Sequence, residues 1–185
     1  MDFSLIKIGD VILTAGKDLE LLPVKIGNVL HGRCKARQWT HAAMSLGSTR
    51  LVEAVQSGVR ICDLKEEYYD KKICFLALRY KKMDDSRRES VGLYCQEQKG
   101  DPYDWRALSY FVLNSLFPTI LGTVLSLSPV EQILNVNNSF FCSELVAAGF
   151  LAQGVSIVKR EPWQTMPVDF LNLNLFDVVL SSRYE

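Results

Sequence analysis

Residues 40–56 have the sequence THAAMSLGSTRLVEAVQ, and this stretch decides the fold. Two apolar runs, Thr40–Leu46 and Leu51–Gln56, flank the turn-forming residues Gly47-Ser48-Thr49. Two such runs around a short glycine-containing connection predict a β-hairpin. The hairpin carries one of the chain's two histidines, His41, and a single acidic residue, Glu53.

The length of the hairpin loop determines whether His41 and Glu53 meet. Side chains alternate along a strand, so His41, Ala43 and Ser45 share a face. A three-residue loop would pair Ala43 with Glu53 and place His41 diagonally adjacent on that face. A two-residue loop would turn Glu53 to the opposite face. A buried glutamate needs a partner, which His41 can provide; the alternative is an edge-strand glutamate in solvent and a half-buried, structural histidine.

The rest of the chain mixes strands and helices without regular alternation. This pattern predicts the α+β class, and 185 residues suit one domain, 1–185. Helices are predicted from about Asp84 and over Phe140–Gln153, the second ended by Gly154. Further short strands are predicted at Val11–Leu13, Val59–Leu64, Ile73–Tyr80 and Asp177–Leu180.

Composition excludes several classes of protein. The formal net charge is zero, which disfavours nucleic-acid binding. Five cysteines, an odd number without C-x-x-C spacing, argue against a disulfide framework and a zinc site. The N-terminus lacks the pattern of a secretory signal, so we expect a cytoplasmic protein or one exported by a specialised secretion system.

An uncharged stretch of 24 residues separates Arg106 from Glu131. Pro118 interrupts it, so two amphipathic helices are favoured over a membrane-spanning one, and we predict an apolar helical insertion at about 107–136. It would serve as core, as a lid, or as a surface for peripheral membrane contact or an acyl chain. Phe117 and Leu121 are its candidate pocket residues.

Cys142 is the candidate nucleophile. It falls in the first turn of its predicted helix, after the potential N-caps Asn137, Asn138 and Ser139, where the helix end favours a thiolate. A thiol nucleophile also needs a base, and His41 is the candidate. Glu53 is the candidate third residue, orienting the imidazole. The alternative for Cys142 is a small, buried core residue.

Two motifs resemble a known family. Phe140-Phe141-Cys142-Ser143-Glu144-Leu145-Val146 resembles the Cys-Ser-x-Leu-Val signature of NlpC-type papain-like cysteine peptidases. Residues 100–105, Gly-Asp-Pro-Tyr-Asp-Trp, resemble the Gly-x-Pro-Tyr-x-Trp segment before that cysteine. Here no histidine follows Cys142, an order similar to the circularly permuted YiiX/YebB-like branch, related to the lecithin retinol acyltransferase-like enzymes. Gly9-Asp10 resembles the turn that opens these domains.

The resemblance implies a permuted papain-like fold, with an antiparallel sheet packed against helices and the nucleophile at a helix N-terminus. It implies Cys142 as nucleophile, His41 as base and Glu53 as the orienting residue. Tyr103 matches a family tyrosine that would stabilise the oxyanion or position substrate; its alternative is a core aromatic. We expect Ser143 and Glu144 to support the helix start.

The implied reaction is acyl transfer through a thioester, with no metal or organic cofactor. The first interpretation is hydrolysis of a peptide-like amide. The second is a lipid ester hydrolase or acyltransferase acting on membrane lipids, in keeping with the permuted order and the uncharged stretch; a secreted effector could use either activity. The third is a non-catalytic binding module. The sequence leaves any protein partner open.

Overall fold

A computed structural model describes residues 1–15, 39–106, 139–158 and 161–182. Within these ranges a six-stranded antiparallel sheet packs against helices, so the predicted α+β class is confirmed. The strands are β1 (Ile8–Thr14), β2 (His41–Leu46), β3 (Arg50–Val55), β4 (Gly58–Asp63), β5 (Phe75–Tyr80) and β6 (Phe176–Ser182). The helices are α1 (Asp85–Glu97) and α2 (Cys142–Ala152), with a π-helix at Lys65–Tyr69 and 3₁₀ turns at Phe3–Leu5, Pro162–Gln164 and Pro167–Leu171.

The strand order across the sheet is β4-β3-β2-β1-β5-β6. In the β2–β3 hairpin, Met44 pairs with Val52 and Ser45 with Leu51. This register leaves Gly47-Ser48-Thr49 as the loop, and Gly47 and Ser48 both have positive φ, as such a tight turn requires. Of the two loop lengths that the sequence leaves open, the structure has the three-residue loop.

Each face of the sheet has its own core. On one face α1 and α2 bury alternate strand residues, among them Val11, Leu13, Ala42, Met44 and Val52. On the other face the intervening residues Ile12, Ala43, Leu51, Phe75 and Ala77 pack beneath the N-terminal turn and the π-helix. This alternation is expected for a sheet that is buried on both faces, because successive side chains of a strand point to opposite sides.

Two predicted helix ends are confirmed: the start of α1 near Asp84 and the end of α2 before Gly154. The Asp84 carboxylate caps α1 by accepting the N–H of Arg87 at 2.8 Å. Gly154, with φ of +72°, follows the last turn of α2 as expected for a helix-ending glycine. None of the helices in the described ranges is long and apolar enough to cross a membrane. The expected insertion at about 107–136, with Phe117 and Leu121, lies outside these ranges, and the single domain over 1–185 stays a prediction.

The Gly9-Asp10 pair joins the sheet to α1. The Asp10 carboxylate is fully buried and accepts hydrogen bonds from Nε and Nη2 of Arg79, at 2.8 and 2.6 Å, and from the Lys7 N–H. Gly9 has φ of +82°, and a Cβ there would overlap the carbonyl oxygen of Arg88 in α1. Only glycine meets both requirements, because it tolerates that φ and lets α1 approach closely.

Gly9→Ala is expected to lower the free energy of unfolding by about 2–4 kcal/mol, since backbone strain adds to overlap with α1. Gly100→Ala is the matched control: Gly100 has φ of +98° but no atom within 4 Å of an added Cβ. Gly100→Ala should lower the free energy of unfolding by about 1 kcal/mol, because the positive φ is the only unfavourable feature there. Urea denaturation of the variants measures both values, and equal losses would contradict the role of close packing.

Candidate active site

The sheet brings His41 and Glu53 together. His41 is the first residue of β2, and its Nε2 lies 2.8 Å from Oε2 of Glu53 in β3. Glu53 has no solvent exposure, and His41 is 8% exposed. β3 lies between β2 and β4, so Glu53 is not the solvent-facing residue of an edge strand. The pair thus has the diagonal geometry that the three-residue loop predicts.

Cys142 joins this pair from the opposite side of the imidazole. It is the first residue of α2, and its sulfur is hydrogen-bonded to the His41 side chain. Because Glu53 occupies Nε2, Nδ1 is the ring nitrogen left for the sulfur. The backbone N–H groups of Ala42 and Ser143 also donate to the sulfur. The three predicted residues therefore form one hydrogen-bonded chain.

The electrostatics of the chain favour a charged sulfur and a charged ring. Burial raises the pKa of Cys142, but the hydrogen bond and charge of His41 and the two backbone amides bring it below its ordinary value of 9.0. Burial lowers the pKa of His41, but its bonds with Cys142 and Glu53 outweigh burial and raise the pKa to about 10. Both shifts favour a thiolate on Cys142 beside an imidazolium on His41.

The start of α2 is held by residues within the helix and by a neighbouring turn. The Glu144 carboxylate accepts the N–H of Phe141 at 3.1 Å, and the Ser143 hydroxyl donates to the Thr165 carbonyl at 2.6 Å. The expected support by Ser143 and Glu144 is thus present. Burial and the nearby charges of Asp104 and Cys142 raise the pKa of Glu144 to about 8, so it adds little negative charge beside the thiolate near neutral pH.

The predicted N-cap of α2 is wrong. The cap position belongs to Phe141, whose side chain makes no capping hydrogen bond. Ser139 instead donates to the Asp104 carboxylate at 3.2 Å, and Asn137 and Asn138 lie outside the described residues. The capping propensity of Asn-Asn-Ser is a local preference, and here the reach of Glu144 back to the Phe141 N–H overrides it.

Tyr103 lies beside Cys142. Its backbone forms an isolated bridge with Phe140, and its ring packs among Phe141, Cys142 and Trp163. Burial, together with the negative charges of Cys142 and Glu144, raises the pKa of Tyr103, so the phenol keeps its proton. The structure thus brings Tyr103, with its phenol protonated, next to the candidate nucleophile.

The sequence did not predict three further partners of Glu53. Arg60 donates to Oε1 from Nε at 2.9 Å and from Nη2 at 2.8 Å, and Cys62 donates to the same oxygen at 3.3 Å. Tyr68 donates to Oε2 at 2.5 Å. Burial raises the pKa of Glu53, but the bonds from His41, Tyr68 and Arg60 hold it well below its ordinary value of 4.5.

A signal for Arg60 and Cys62 is present in the sequence. Gln56-Ser57 between two apolar runs permits a two-residue turn, and in the observed register Glu53 pairs directly with Arg60. Alternation then puts Cys62 on the same face. No comparable signal exists for Tyr68, since a π-helix has no sequence pattern that fixes which side chains face the sheet.

Among the described residues, no group of three or more histidine, cysteine or acidic side chains is placed to hold a metal ion. The candidate pocket residues Phe117 and Leu121 cannot be related to the site, because they lie outside the described ranges. Comparison of the sequence with protein-family models and with curated proteins gave no match. The chemistry of the site is therefore argued from its own geometry.

Cys142 is expected to react with iodoacetamide at pH 6 at least about tenfold faster than Cys62 and Cys74, because it is held as a thiolate. Cys142 is only 5% exposed whereas the other two are partly exposed, so access alone predicts the opposite order. His41→Ala should abolish the advantage. Peptide mass spectrometry across pH measures each rate, and equal labelling of the three cysteines would refute the thiolate–imidazolium pair.

Glu53→Gln is expected to lower the free energy of unfolding by about 3–5 kcal/mol at pH 7, because it leaves the buried imidazolium of His41 without its opposite charge. The folded pKa of Glu53 lies below the unfolded value, so the stabilisation is present above about pH 4.5 and is lost as the pH falls. The difference between the proteins should shrink between pH 5 and 3 in chemical denaturation. Glu66→Gln, at an exposed site, should change stability by less than about 0.5 kcal/mol.

Proposed function

We propose that this protein is a cysteine hydrolase that cleaves an amide bond through a thioester acyl-enzyme. The observation that carries the proposal is the hydrogen-bonded chain from Cys142 through His41 to Glu53, with the sulfur at the N-terminus of α2. A thiolate beside an imidazolium is an activated nucleophile that carries its own proton donor.

In the first half of the reaction the Cys142 thiolate attacks the carbonyl carbon and forms a C–S bond. The carbonyl π electrons move to oxygen, and the backbone N–H of Cys142 with the α2 N-terminus stabilises the oxyanion. When the intermediate collapses, the C–N bond breaks and His41 gives its proton to the leaving amine. Tyr103 is suited to position the substrate carbonyl, since its ring packs against Cys142.

In the second half water resolves the thioester. His41, now neutral, takes a proton from water as the oxygen attacks the acyl carbon. The C–S bond then breaks, the thiolate is released, and the imidazolium and thiolate of the resting site are restored. The acyl group leaves as a carboxylic acid. Neither half requires a metal or an organic cofactor.

The protonated state of His41 favours an amide as substrate. An amine is a poor leaving group unless it is protonated as the bond breaks, and a resting imidazolium supplies that proton. The second candidate is a lipid ester hydrolase or acyltransferase. It is favoured by the uncharged residues 107–130, which suit an acyl chain or a membrane surface.

We further propose that the fold is a circularly permuted papain-like fold of the YiiX/YebB-like branch. Three observations support it: the order His41, Glu53, Cys142 along the chain, the antiparallel sheet that carries the first two, and the helix that begins at the third. The Cys-Ser-x-Leu-Val and Gly-x-Pro-Tyr-x-Trp motifs coincide with that helix start and with the segment bridged to it.

Trapping of the acyl-enzyme tests the function. The wild-type protein is mixed with a peptide-amide library or with phosphatidylcholine–phosphatidylglycerol vesicles, quenched in acid, and digested for mass spectrometry. An acyl adduct on Cys142 from peptides, with release of free amine, supports the amidase. An adduct from vesicles supports the lipid ester hydrolase instead.

The variants make this test specific. Cys142→Ser should lose the adduct, and His41→Ala should slow turnover by about 10²–10⁴-fold, whereas Cys74→Ser should behave as wild type. Product release that persists in Cys142→Ser would overturn the proposed nucleophile. A Cys142 that accepts no acyl group from either substrate class, and that labels no faster than Cys74, would favour the binding module.

A further inference from the structure

The Glu53 carboxylate serves more partners than an orienting residue needs. Its two oxygens accept hydrogen bonds from four side chains: His41, Arg60, Cys62 and Tyr68. An imidazole can be oriented by one acceptor alone. The additional donors come from two other elements, β4 and the π-helix. Their convergence on one carboxylate indicates that they do more than orient the imidazole.

Tyr68 contacts both members of the His41–Glu53 pair. Its hydroxyl donates to Oε2, the oxygen that binds Nε2 of His41. Its ring lies 23° from parallel to the imidazole, with centroids 6.3 Å apart. Tyr68 therefore competes directly with His41 for the charge on one oxygen.

Arg60 acts on the other oxygen. Its Nε and Nη2 both donate to Oε1, and Nη1 lies 3.9 Å from the Glu67 carboxylate. The Arg60 side chain is 43% exposed, so its charge is partly solvated. Even so, a positive charge fixed on Oε1 weakens the field that Glu53 exerts on the imidazolium.

We propose that Tyr68 and Arg60 are positioning residues that act through Glu53, sharing its charge and so limiting how firmly it holds the His41 proton. This inference rests on the proposed function, in which His41 must give that proton to the leaving group. A carboxylate that had only the imidazolium as partner would bind the proton more tightly and slow its transfer.

The need for this sharing arises once the thiolate has attacked the carbonyl carbon. In the resting site both Cys142 and Glu53 stabilise the imidazolium. Attack on the carbonyl consumes the thiolate charge, and afterwards Glu53 alone holds the proton. The donors on Glu53 then determine how readily His41 acts as an acid and, in the second half, as a base.

The proposal concerns the pKa of His41, so every titratable or charged neighbour is relevant. His41 faces Cys142 from α2, Glu53 from β3 and Tyr68 from the π-helix. The groups one step further out are Arg60, Cys62, Glu67, Tyr103, Asp104 and Glu144. The two test variants, at Tyr68 and Arg60, therefore change only donors on Glu53 and none of the groups around position 142.

Titration of His41 by histidine-selective ¹⁵N NMR tests the proposal in a Cys142→Ala background. That background removes the thiolate, isolates the effect of Glu53 and resembles the acylated stage. The chain has two histidines, and His31→Ala assigns the signals. Tyr68→Phe, which keeps the ring, and Arg60→Met should each raise the pKa of His41 by about half a unit to one unit. Glu53→Gln should lower it by more than about one unit.

The controls are Tyr69→Phe, in the same π-helix, and Arg50→Met, in β3, both of which should leave the titration unchanged. An unchanged or lowered pKa in both Tyr68→Phe and Arg60→Met would overturn the proposal and make these residues structural supports of Glu53. Should Tyr68→Phe fail to fold, Arg60→Met carries the test, because Arg60 is partly exposed. The result does not depend on whether Cys142 forms an acyl-enzyme, so the inference and the proposed function can fail separately.

Discussion

One carboxylate, that of Glu53, lies inside the sheet without contact to solvent, and the rest of the site depends on it. A charge in that position costs several kcal/mol unless hydrogen bonds and opposite charges compensate for it. Here the compensation comes from β2, β4 and the π-helix, each of which contributes at least one donor. The same contacts that make the buried charge tolerable also fix the imidazole of His41.

The lowered pKa of the Cys142 thiol follows from that fixed imidazole. With Nε2 bound to Glu53, the ring presents its other nitrogen to Cys142, and the protonated ring lowers the pKa of the thiol despite burial. The first N–H groups of α2 have no acceptors within the helix and favour negative charge nearby. Sheet and helix thus stabilise opposite ends of one ion pair.

The sequence predicts this arrangement as far as local rules reach. Strand alternation is local and reduces the relation of His41 to Glu53 to a choice between two loop lengths, of which the structure has the three-residue one. Helical periodicity likewise places Cys142 in a first turn. The capping prediction is wrong because Glu144 and Thr165 fix the start of α2 through buried contacts that propensity does not encode. Tyr68 could not be predicted either, since its position depends on how the π-helix packs against the sheet.

The order of the residues along the chain has a physical consequence for activation. His41 and Glu53 meet within a hairpin, whose closure needs only a three-residue loop, so their contact forms with local structure. Cys142 reaches them only when α2 packs on the sheet through Leu145, Val146 and Phe150. Until that packing is complete, the thiol lacks both the imidazolium and the fixed helix end that stabilise its charge. The contacts that lower the pKa of the thiol are therefore a property of the finished tertiary structure.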